Sequence, residues 1–213
     1  MTPRIVKEHE VRKKEIVETA ERLFLEYGYE ETPVELIIKE VGIAKGTFYH
    51  YFKTKEDVLN ILVDQLIEDV TSNVRKISEN SEGDALVRMF KVSFYFRTLA
   101  IGKEKLSDYI HEEKNEHLHL KIQKRVMPVL IDCYAKLIEE GNREGLFNTG
   151  DPTLTAAAML GASNQLGEGH HEHAGRAEVD QDLLHESVKI LERILNTREG
   201  LLLEYLKKME VLK

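Results

Sequence analysis

Apolar side chains recur at intervals of three and four residues along most of the chain, the spacing of one face of an α-helix. The first such stripe predicts a helix from about Lys7 to Tyr27, and Gly28 follows as a left-handed C-terminal stop. The stripe consists of Ile16, Ala20, Leu23, Phe24 and Tyr27. Only four prolines occur in 213 residues, so the chain is predicted to be all-α.

Two short helices are predicted next, separated by a glycine. Thr32 has the position of an N-cap, with Pro33 as the first residue of a helix that ends near Glu40. Gly42 breaks this helix, and another begins near Ala44. Helix, glycine-containing turn and helix are the parts of a helix-turn-helix.

The second short helix lies in a segment of unusual composition. Residues 41–55, VGIAKGTFYHYFKTK, contain three lysines and one histidine but no acidic residue. Helical spacing turns Ala44, Phe48 and Phe52 inward. The outward face then consists of Lys45, Gly46, Thr47, Tyr49 and His50. A small, hydrogen-bonding face without carboxylates suits the major groove of DNA, and a plain solvated surface is the competing interpretation.

The charge of this segment differs from that of the whole chain. The chain has 38 Asp and Glu against 30 Lys and Arg, a formal net charge of −8. Residues 1–55 contain ten residues of each sign, so residues 56–213 carry the whole negative excess. We interpret this asymmetry as a neutral module with a basic face, joined to an acidic body.

A longer helix is predicted after Thr54, which has the position of its N-cap. Lys53 and Lys55 flank the start of this helix, where backbone N–H groups and the helix dipole favour a phosphate. The two lysines are therefore candidate phosphate contacts.

Residues 16–59, IVETAERLFLEYGYEETPVELIIKEVGIAKGTFYHYFKTKEDVL, closely resemble the DNA-binding head of the TetR family of transcription regulators. The similarity rests on spaced features: A…LF…GY in the first helix, T…I…VG in the second, GTFYHYF in the third and K.KE before the fourth. It covers about the first quarter of the chain. It implies a three-helix helix-turn-helix head over residues 1–54 and a helical-bundle body for ligand binding and dimerisation over residues 55–213.

The resemblance also implies roles for single side chains. Thr47, Tyr49 and His50 correspond to groove and backbone contacts of the recognition helix, and Lys55 to a lysine that grips a phosphate. The full set of DNA-binding residues predicted in this way is Thr32, Lys45, Gly46, Thr47, Tyr49, His50, Tyr51, Lys53 and Lys55. The chain departs from many family members at Pro33 and Ala44, where Ser or Thr is common.

The body is predicted to be a bundle of further helices. They cover about residues 84–101, 104–115, 117–140, 152–167, 180–196 and the tail after residue 199. Pro128 lies inside the third of these and is expected to kink it. Small residues dominate 152–167 and permit the close approach of another helix.

The resemblance implies a symmetric dimer through the helices near 152–167 and 180–196, and hence a palindromic double-stranded DNA operator. It also implies an unidentified small-molecule effector in the body, whose binding releases the DNA. The predicted pocket residues are Phe90, Phe94, Tyr109, Met127, Tyr134 and Met159. Ordinary core packing is the commoner reason for apolar residues at helical spacing, and it is the favoured interpretation for each of these side chains.

Two histidine-rich clusters keep a metal hypothesis open. Residues 111–119 and 168–173 each contain Glu-x-x-His, and the candidate ligands are Glu116, His119, His171 and His173. Gly167 and Gly169 predict a loop for the second cluster, and a solvated polar surface is the plainer interpretation. A metal-sensing regulator or a di-metal bundle protein is therefore the alternative function. The first function, a DNA-binding repressor released by a small effector, needs no cofactor.

Other function classes find little support in the sequence. Phosphate-binding loops, nucleophile elbows and Cys-x-x-Cys motifs are absent, so an enzyme is not expected. Cys133 has no second cysteine to pair with, and the N-terminus has no apolar core of a signal peptide. No apolar run approaches the length of a membrane span, so a cytoplasmic protein without a membrane partner is expected.

Overall fold

The computed structural model describes residues 3–79, 82–99, 103–171 and 181–209. The regular elements within these ranges are all helical, so the all-α prediction is confirmed. They are α1 (Pro3–Tyr27), α2 (Val34–Val41), α3 (Lys45–Tyr51), α4 (Lys55–Glu79), α5 (Ala85–Thr98), α6 (Glu104–His111), a 3-10 helix (Glu113–Asn115), α7 (Glu116–Arg143), α8 (Pro152–His171), α9 (Gln181–Ile194) and α10 (Leu201–Lys208). None of the described helices is both long and apolar enough to span a bilayer.

Glycines end the first two helices, as predicted. Gly28 has φ +97° and its N–H donates to the Phe24 carbonyl at 2.9 Å. Gly42 has φ +72° and its N–H donates to the carbonyls of Ile38 at 3.0 Å and Lys39 at 3.2 Å. Only glycine takes such left-handed angles at no steric cost, so both turns depend on it.

The start of α2 differs from the prediction, because Pro33 and not Thr32 is the N-cap. Pro33 has extended backbone angles, φ −70° and ψ 155°, so the helix begins one residue later at Val34. Thr32 is fully buried instead. Its hydroxyl donates to the Gly28 carbonyl at 2.7 Å and reaches the Leu23 carbonyl at 3.3 Å, which ties the turn to the end of α1.

The chain packs as two compact units. The first comprises Met1–Val70 and Arg97–Val126, and the second comprises Thr71–Phe96 and Met127–Lys213. The first unit therefore contains α6 and the beginning of α7 in addition to the predicted head. The functional boundary between residues 54 and 55 stays a prediction.

The core of the first unit is built from the predicted apolar stripes. Side chains of α1 to α4 with no more than 1% exposure include Ile16, Ala20, Leu23, Phe24, Ile37, Phe48, Val58 and Leu59. Burial of each large apolar side chain contributes about 1.5–3 kcal/mol, enough to hold α2 and α3 although both are too short to be stable alone.

Four side-chain contacts fasten the segment from Lys103 to Lys114 to α1 and the turn after it. They are Lys103 Nζ with the Glu21 carboxylate at 3.9 Å, Lys105 Nζ with the Glu26 carbonyl, Tyr109 with Tyr29 at 4.4 Å between ring centroids, and Lys114 Nζ with the Glu30 carboxylate at 2.9 Å. The helix predicted to reach Asn115 is interrupted, because Glu112 has ψ 141° and the chain continues as a 3-10 turn. The buried Asn115 amide donates to the Tyr109 carbonyl at 2.7 Å and holds that turn.

Two buried charged side chains of the second unit, Glu192 and Arg88, form hydrogen bonds. The Glu192 carboxylate is 3% exposed and accepts the N–H groups of Gly200 at 3.0 Å and Leu202 at 2.9 Å, which caps α10. Arg88 is paired with Glu140 and donates to the Ser78 carbonyl at 2.9 Å. Such bonds offset the cost of removing these groups from water.

Tyr134 gives the second unit a measurable pH dependence. Its ring is buried, its hydroxyl lies 2.9 Å from Ser93 Oγ, and burial raises its pKa from 10.0 to about 12. The folded state keeps this proton between pH 10 and 12 whereas the unfolded chain loses it, so this stability is complete below pH 10 and falls as pH rises towards 12.

We expect denaturant unfolding to show an extra loss of about 1 kcal/mol between pH 9 and pH 11 in the native chain relative to Tyr134→Phe. The variant is less stable at both pH values, because it lacks the hydroxyl. The difference between the two slopes is therefore the quantity to compare. Equal slopes for the two proteins would contradict the assignment to Tyr134.

Candidate nucleic-acid interface

Helix α3 presents the predicted basic and aromatic face. Phe48 and Phe52 are 0% and 3% exposed and hold the helix on the core, as predicted. Lys45, Gly46, Tyr49 and His50 are exposed, and Thr47 and Tyr51 are half-buried. The prediction that Ala44 faces inward is wrong: it is exposed, because it is the N-cap with φ −72° and ψ 149° and not part of the helix.

Lys45 faces a carboxylate that the neighbouring helix supplies. Its Nζ lies 3.1 Å from Glu35 Oε1 and 5.9 Å from the centre of the Tyr49 ring. The hydrogen bond raises the pKa of Lys45 and lowers the pKa of Glu35. Both side chains are exposed, and exposed ion pairs are weak in water, so Lys45 can exchange Glu35 for a phosphate.

His9 on α1 lies beside this face, and no motif in the sequence predicted it. Its ring centroid lies 5.7 Å from that of His50 and 4.5 Å from that of Tyr51, while His50 and Tyr51 are 5.2 Å apart. The three rings brace the C-terminal end of α3 against α1. No pattern along the chain relates position 9 to positions 50 and 51, so only the tertiary structure reveals the cluster.

A reciprocal capping box opens α4. Thr54 Oγ1 accepts the Asp57 N–H at 3.1 Å, and Asp57 Oδ2 accepts the N–H groups of Lys53 at 2.8 Å and Thr54 at 2.9 Å. Thr54 is thus the N-cap, as predicted. Because the N–H groups of Lys53 and Thr54 are bound to Asp57, they are not free to bind a phosphate. The predicted phosphate contact therefore depends on the side chains of Lys53 and Lys55.

The two lysines at this helix start lie in different surroundings. Lys53 is exposed. Lys55 is half-buried: its Nζ donates to the Tyr29 carbonyl and lies 4.0 Å from the centre of the Tyr29 ring. Burial lowers the pKa of Lys55. Lys55 therefore stabilises the turn after α1, whatever it contacts on DNA.

We expect alanine substitutions to separate these two lysines. Lys55→Ala should lower stability by about 1 kcal/mol, because it removes a charge-assisted hydrogen bond and a cation–π contact. Lys53→Ala should leave the melting temperature unchanged and reduce the salt dependence of DNA binding by about one phosphate contact. Thermal melts and DNA titrations at two salt concentrations measure both effects. Equal melting temperatures for the two variants would contradict a structural role for Lys55.

Thr32 stands apart from the other predicted DNA contacts. Its side chain is 0% exposed and its hydroxyl is bound to backbone carbonyls of the α1–α2 turn. The side chain lies inside the first unit, where it ties the turn before α2 to the end of α1.

The predicted pocket residues are divided between the two units. Tyr109 belongs to the first unit, where it lies against Tyr29, and the other five belong to the second. Tyr134 and Met159 are buried, whereas Phe94 is 44% exposed. The remaining two, Phe90 and Met127, are half-buried.

Two of the four candidate metal ligands have described side chains, Glu116 and His119. Glu116 and His119 lie at the start of α7, Glu116 exposed and His119 half-buried. Helix α8 continues to His171, so the predicted loop at the second cluster is wrong over residues 168–171. The side chain of His171 and all of His173 lie outside the described residues. Where side chains are described, no three His, Cys, Asp or Glu residues converge on a point that could hold a metal.

The pair α2–α3, with its glycine turn and exposed basic face, defines a helix-turn-helix DNA-binding protein. The family model for bacterial regulatory proteins of the tetR family matches residues 16–61, which contain that pair. Over these residues the chain is similar to the TetR family of transcriptional regulators.

Relatives along most of the chain agree with this assignment. The HTH-type transcriptional regulator YhgD of Bacillus subtilis (strain 168) is 26% identical over 155 residues, 70% of this chain and 78% of that protein. The fatty acid metabolism regulator protein of the same organism is 28% identical over 153 residues, 68% of this chain and 76% of that protein.

A solved TetR/AcrR-family regulator from Thermobifida fusca YX-ER1 has the same fold. It is 24% identical, with a TM-score of 0.59 over 87% of this chain and 97% of that one. A TetR-family structure from Syntrophomonas wolfei, 21% identical, gives a TM-score of 0.57 over 91% and 99% of the two chains.

Proposed function

We propose that this chain is a homodimeric repressor that binds a palindromic operator through α3 and releases it when a small effector binds. The exposed face of α3 is the observation that carries the proposal. Lys45, Thr47, Tyr49 and His50 supply donors and flat aromatic surface, and the buried Phe48 fixes their direction. A helix with this face is suited to the major groove, where side chains reach base edges and phosphates.

Gly46 gives the strongest hint of a close partner. A Cβ atom placed on Gly46 would meet no other atom within 4 Å, so nothing inside the protein requires a glycine there. Glycine also weakens a helix by about 1 kcal/mol relative to alanine. A partner that approaches the backbone closely accounts for the residue, and a DNA groove is such a partner.

Exposed apolar positions on α8 and α9 support the dimer. Leu154 on α8 is 70% exposed and Ile190 on α9 is 39% exposed. Ala158 and Gly161, four and seven residues after Leu154, are also exposed and extend its stripe along α8. We infer that α8 and α9 pack against their copies in a second chain. Two-fold symmetry then places two α3 helices on two half-sites of a palindrome.

Effector control requires an energetic link between two sites. A ligand that favours a head arrangement unsuited to the operator lowers DNA affinity by its difference in affinity for the two states. A coupling free energy of about 1–3 kcal/mol corresponds to a change of roughly 5–150-fold. Such a change is sufficient to release a repressor from its operator.

The test is a titration of the purified protein against labelled DNA from upstream of its own gene, and against a genomic selection pool. Excess random duplex serves as competitor, and two salt concentrations are used. Binding that survives the competitor and weakens with salt is expected. Recovery of no sequence from the genomic pool would refute the proposal.

A further inference from the structure

A cavity of about 280 Å³ opens within the first unit, between α4 and α6, with α1 at its edge. Its floor is apolar. The floor residues are Leu59, Leu62, Val63 and Leu66 of α4, and Leu106 and Ile110 of α6. All of these except the half-buried Leu66 are at most 8% exposed. The cavity is separate from the positions predicted for an effector pocket, none of which lines it.

The mouth of the cavity is acidic. Glu21 of α1 and Glu68 and Asp69 of α4 line it with carboxylates, and Gln65 adds an amide. Among the described lining residues Lys103 is the one cation, and its Nζ lies 3.9 Å from the Glu21 carboxylate. Three carboxylates against one ammonium give these described residues a formal charge of −2.

We propose that this cavity binds a small molecule with an apolar body and one ammonium group. The apolar floor accepts the body, because small-molecule sites are concave, mostly apolar and supplied with a few polar groups that fix orientation. The excess negative charge at the mouth attracts the ammonium and repels a carboxylate or phosphate. Charge complementarity therefore selects cations over neutral or anionic molecules of equal size.

The location of the cavity connects its occupant to the recognition helix. Helix α4 begins at Lys55, four residues after α3 ends at Tyr51, and its Leu59 belongs to both the core and the cavity floor. On the opposite side the segment from Lys103 to Lys114, which contains α6, is fastened to α1 and the turn after it by four contacts. A bound molecule would contact α4 and α6 at the same time. It could therefore shift the elements against which α3 packs. This consequence rests on the proposed DNA-binding function, whereas the binding site itself does not.

The test uses three probes of one size and different charge: 4-phenylbutylamine, 4-phenyl-1-butanol and 4-phenylbutanoate. Calorimetry with the full-length protein at neutral pH is expected to give the amine a dissociation constant below about 1 mM, at least fivefold tighter than the alcohol. The carboxylate is expected to give no detectable heat of binding.

Three variants locate the site. Leu106→Trp fills the cavity and should abolish amine binding. The double variant Glu68→Gln/Asp69→Asn changes only exposed residues and should reduce the preference for the amine over the alcohol to less than twofold. Glu18→Gln is the matched control, since Glu18 is exposed on α1 but outside the lining, and it should behave as the native chain.

The proposal is overturned if the native, folded protein binds the amine no better than the alcohol. It is also overturned if the double variant keeps the full preference. The DNA titration tests the effect on α3 separately. If the amine binds without changing operator affinity, the proposed effect on α3 is refuted and the proposed binding site is not. A protein that binds no specific DNA yet prefers the amine refutes the regulator function and keeps the cavity assignment.

Discussion

Ala158→Arg is expected to convert the proposed dimer to monomers and to lower operator affinity by roughly 100-fold or more. Ala158 lies on the exposed stripe of α8 between Leu154, which is 70% exposed, and Gly161. A Cβ added at Gly161 would meet nothing within 4 Å in the single chain, so the stripe has room for a close neighbour. An arginine there would bury a charge without a partner in a helix-to-helix contact, which costs several kcal/mol.

The loss of DNA affinity follows from the loss of the second recognition helix. When two heads are joined, binding of the second half-site is intramolecular, and the gain over one head is about 10²–10⁴-fold. Analytical ultracentrifugation measures the association, and the operator titration measures the affinity. Thermal melts at low concentration report whether the monomer stays folded, which we expect because position 158 is exposed.

Ser163→Arg provides the matched control for charge. Ser163 is exposed on the same helix, and five residues of helical rotation place it roughly opposite Ala158. We expect this variant to remain a dimer with native operator affinity. If Ala158→Arg is a dimer as well, the exposed stripe of α8 is not part of the dimer interface. The proposed role of α8 in the dimer would then be refuted.

Gly46→Leu is expected to weaken operator binding by about 10–100-fold without lowering the melting temperature. The site is open within the protein, and leucine favours a helix over glycine by about 0.8 kcal/mol, so the fold should be unharmed or slightly stabilised. The added side chain would hold α3 away from the floor of the groove and separate Tyr49 and His50 from their contacts.

Two further variants test whether the size of the side chain at position 46 and the ring of Tyr49 determine the affinity for DNA. Gly46→Ala adds one methyl group and should fall between the native chain and Gly46→Leu in affinity. Tyr49→Ala removes an exposed ring and should weaken binding while the dimer persists. Native affinity in Gly46→Leu would mean that α3 does not approach DNA at this position, and the exposed face would then be an ordinary solvated surface.

Local chemistry explains which parts of the fold the sequence predicted well. Gly28 and Gly42 take left-handed angles that other residues adopt only at a cost, so their positions alone end α1 and α2. The bonds between Thr54 and Asp57 span three residues, so the start of α4 is also visible in the sequence. The exposed side of α3 follows from the same local rule, since Phe48 and Phe52 face inward.

Contacts between distant residues explain the errors. Thr32 could have capped α2, but its hydroxyl is used by carbonyls nine and four residues earlier in the chain. The contact of Lys55 with the Tyr29 carbonyl, 26 residues away, was not predicted either, and its phosphate contact stays a prediction. His9 meets α3 only through folding. In each case a tertiary partner that no spacing rule encodes determines the role of the side chain.

The pocket was the least predictable feature, for a physical reason. Apolar periodicity marks every side chain that avoids water, and it does not separate a wall of a cavity from the interior of a core. Tyr134 shows this, because it fits the pattern of a pocket residue and is also a buried side chain with its hydroxyl bound to Ser93. The cavity beside Leu106 was not expected, because its floor and mouth come from three helices.

The way α6 is fastened to α1 has a practical consequence for exchanging DNA specificity between regulators. A fragment cut after residue 54 would lose Lys55 and the four partners between Lys103 and Lys114. Tyr29 would then lose its contacts with Lys55 and Tyr109 and keep the one with Phe24. The self-contained part is discontinuous in sequence, Met1–Val70 with Arg97–Val126. A chimera that transplants only the first 54 residues would join a head to a foreign α6, so those partners must be transplanted with it.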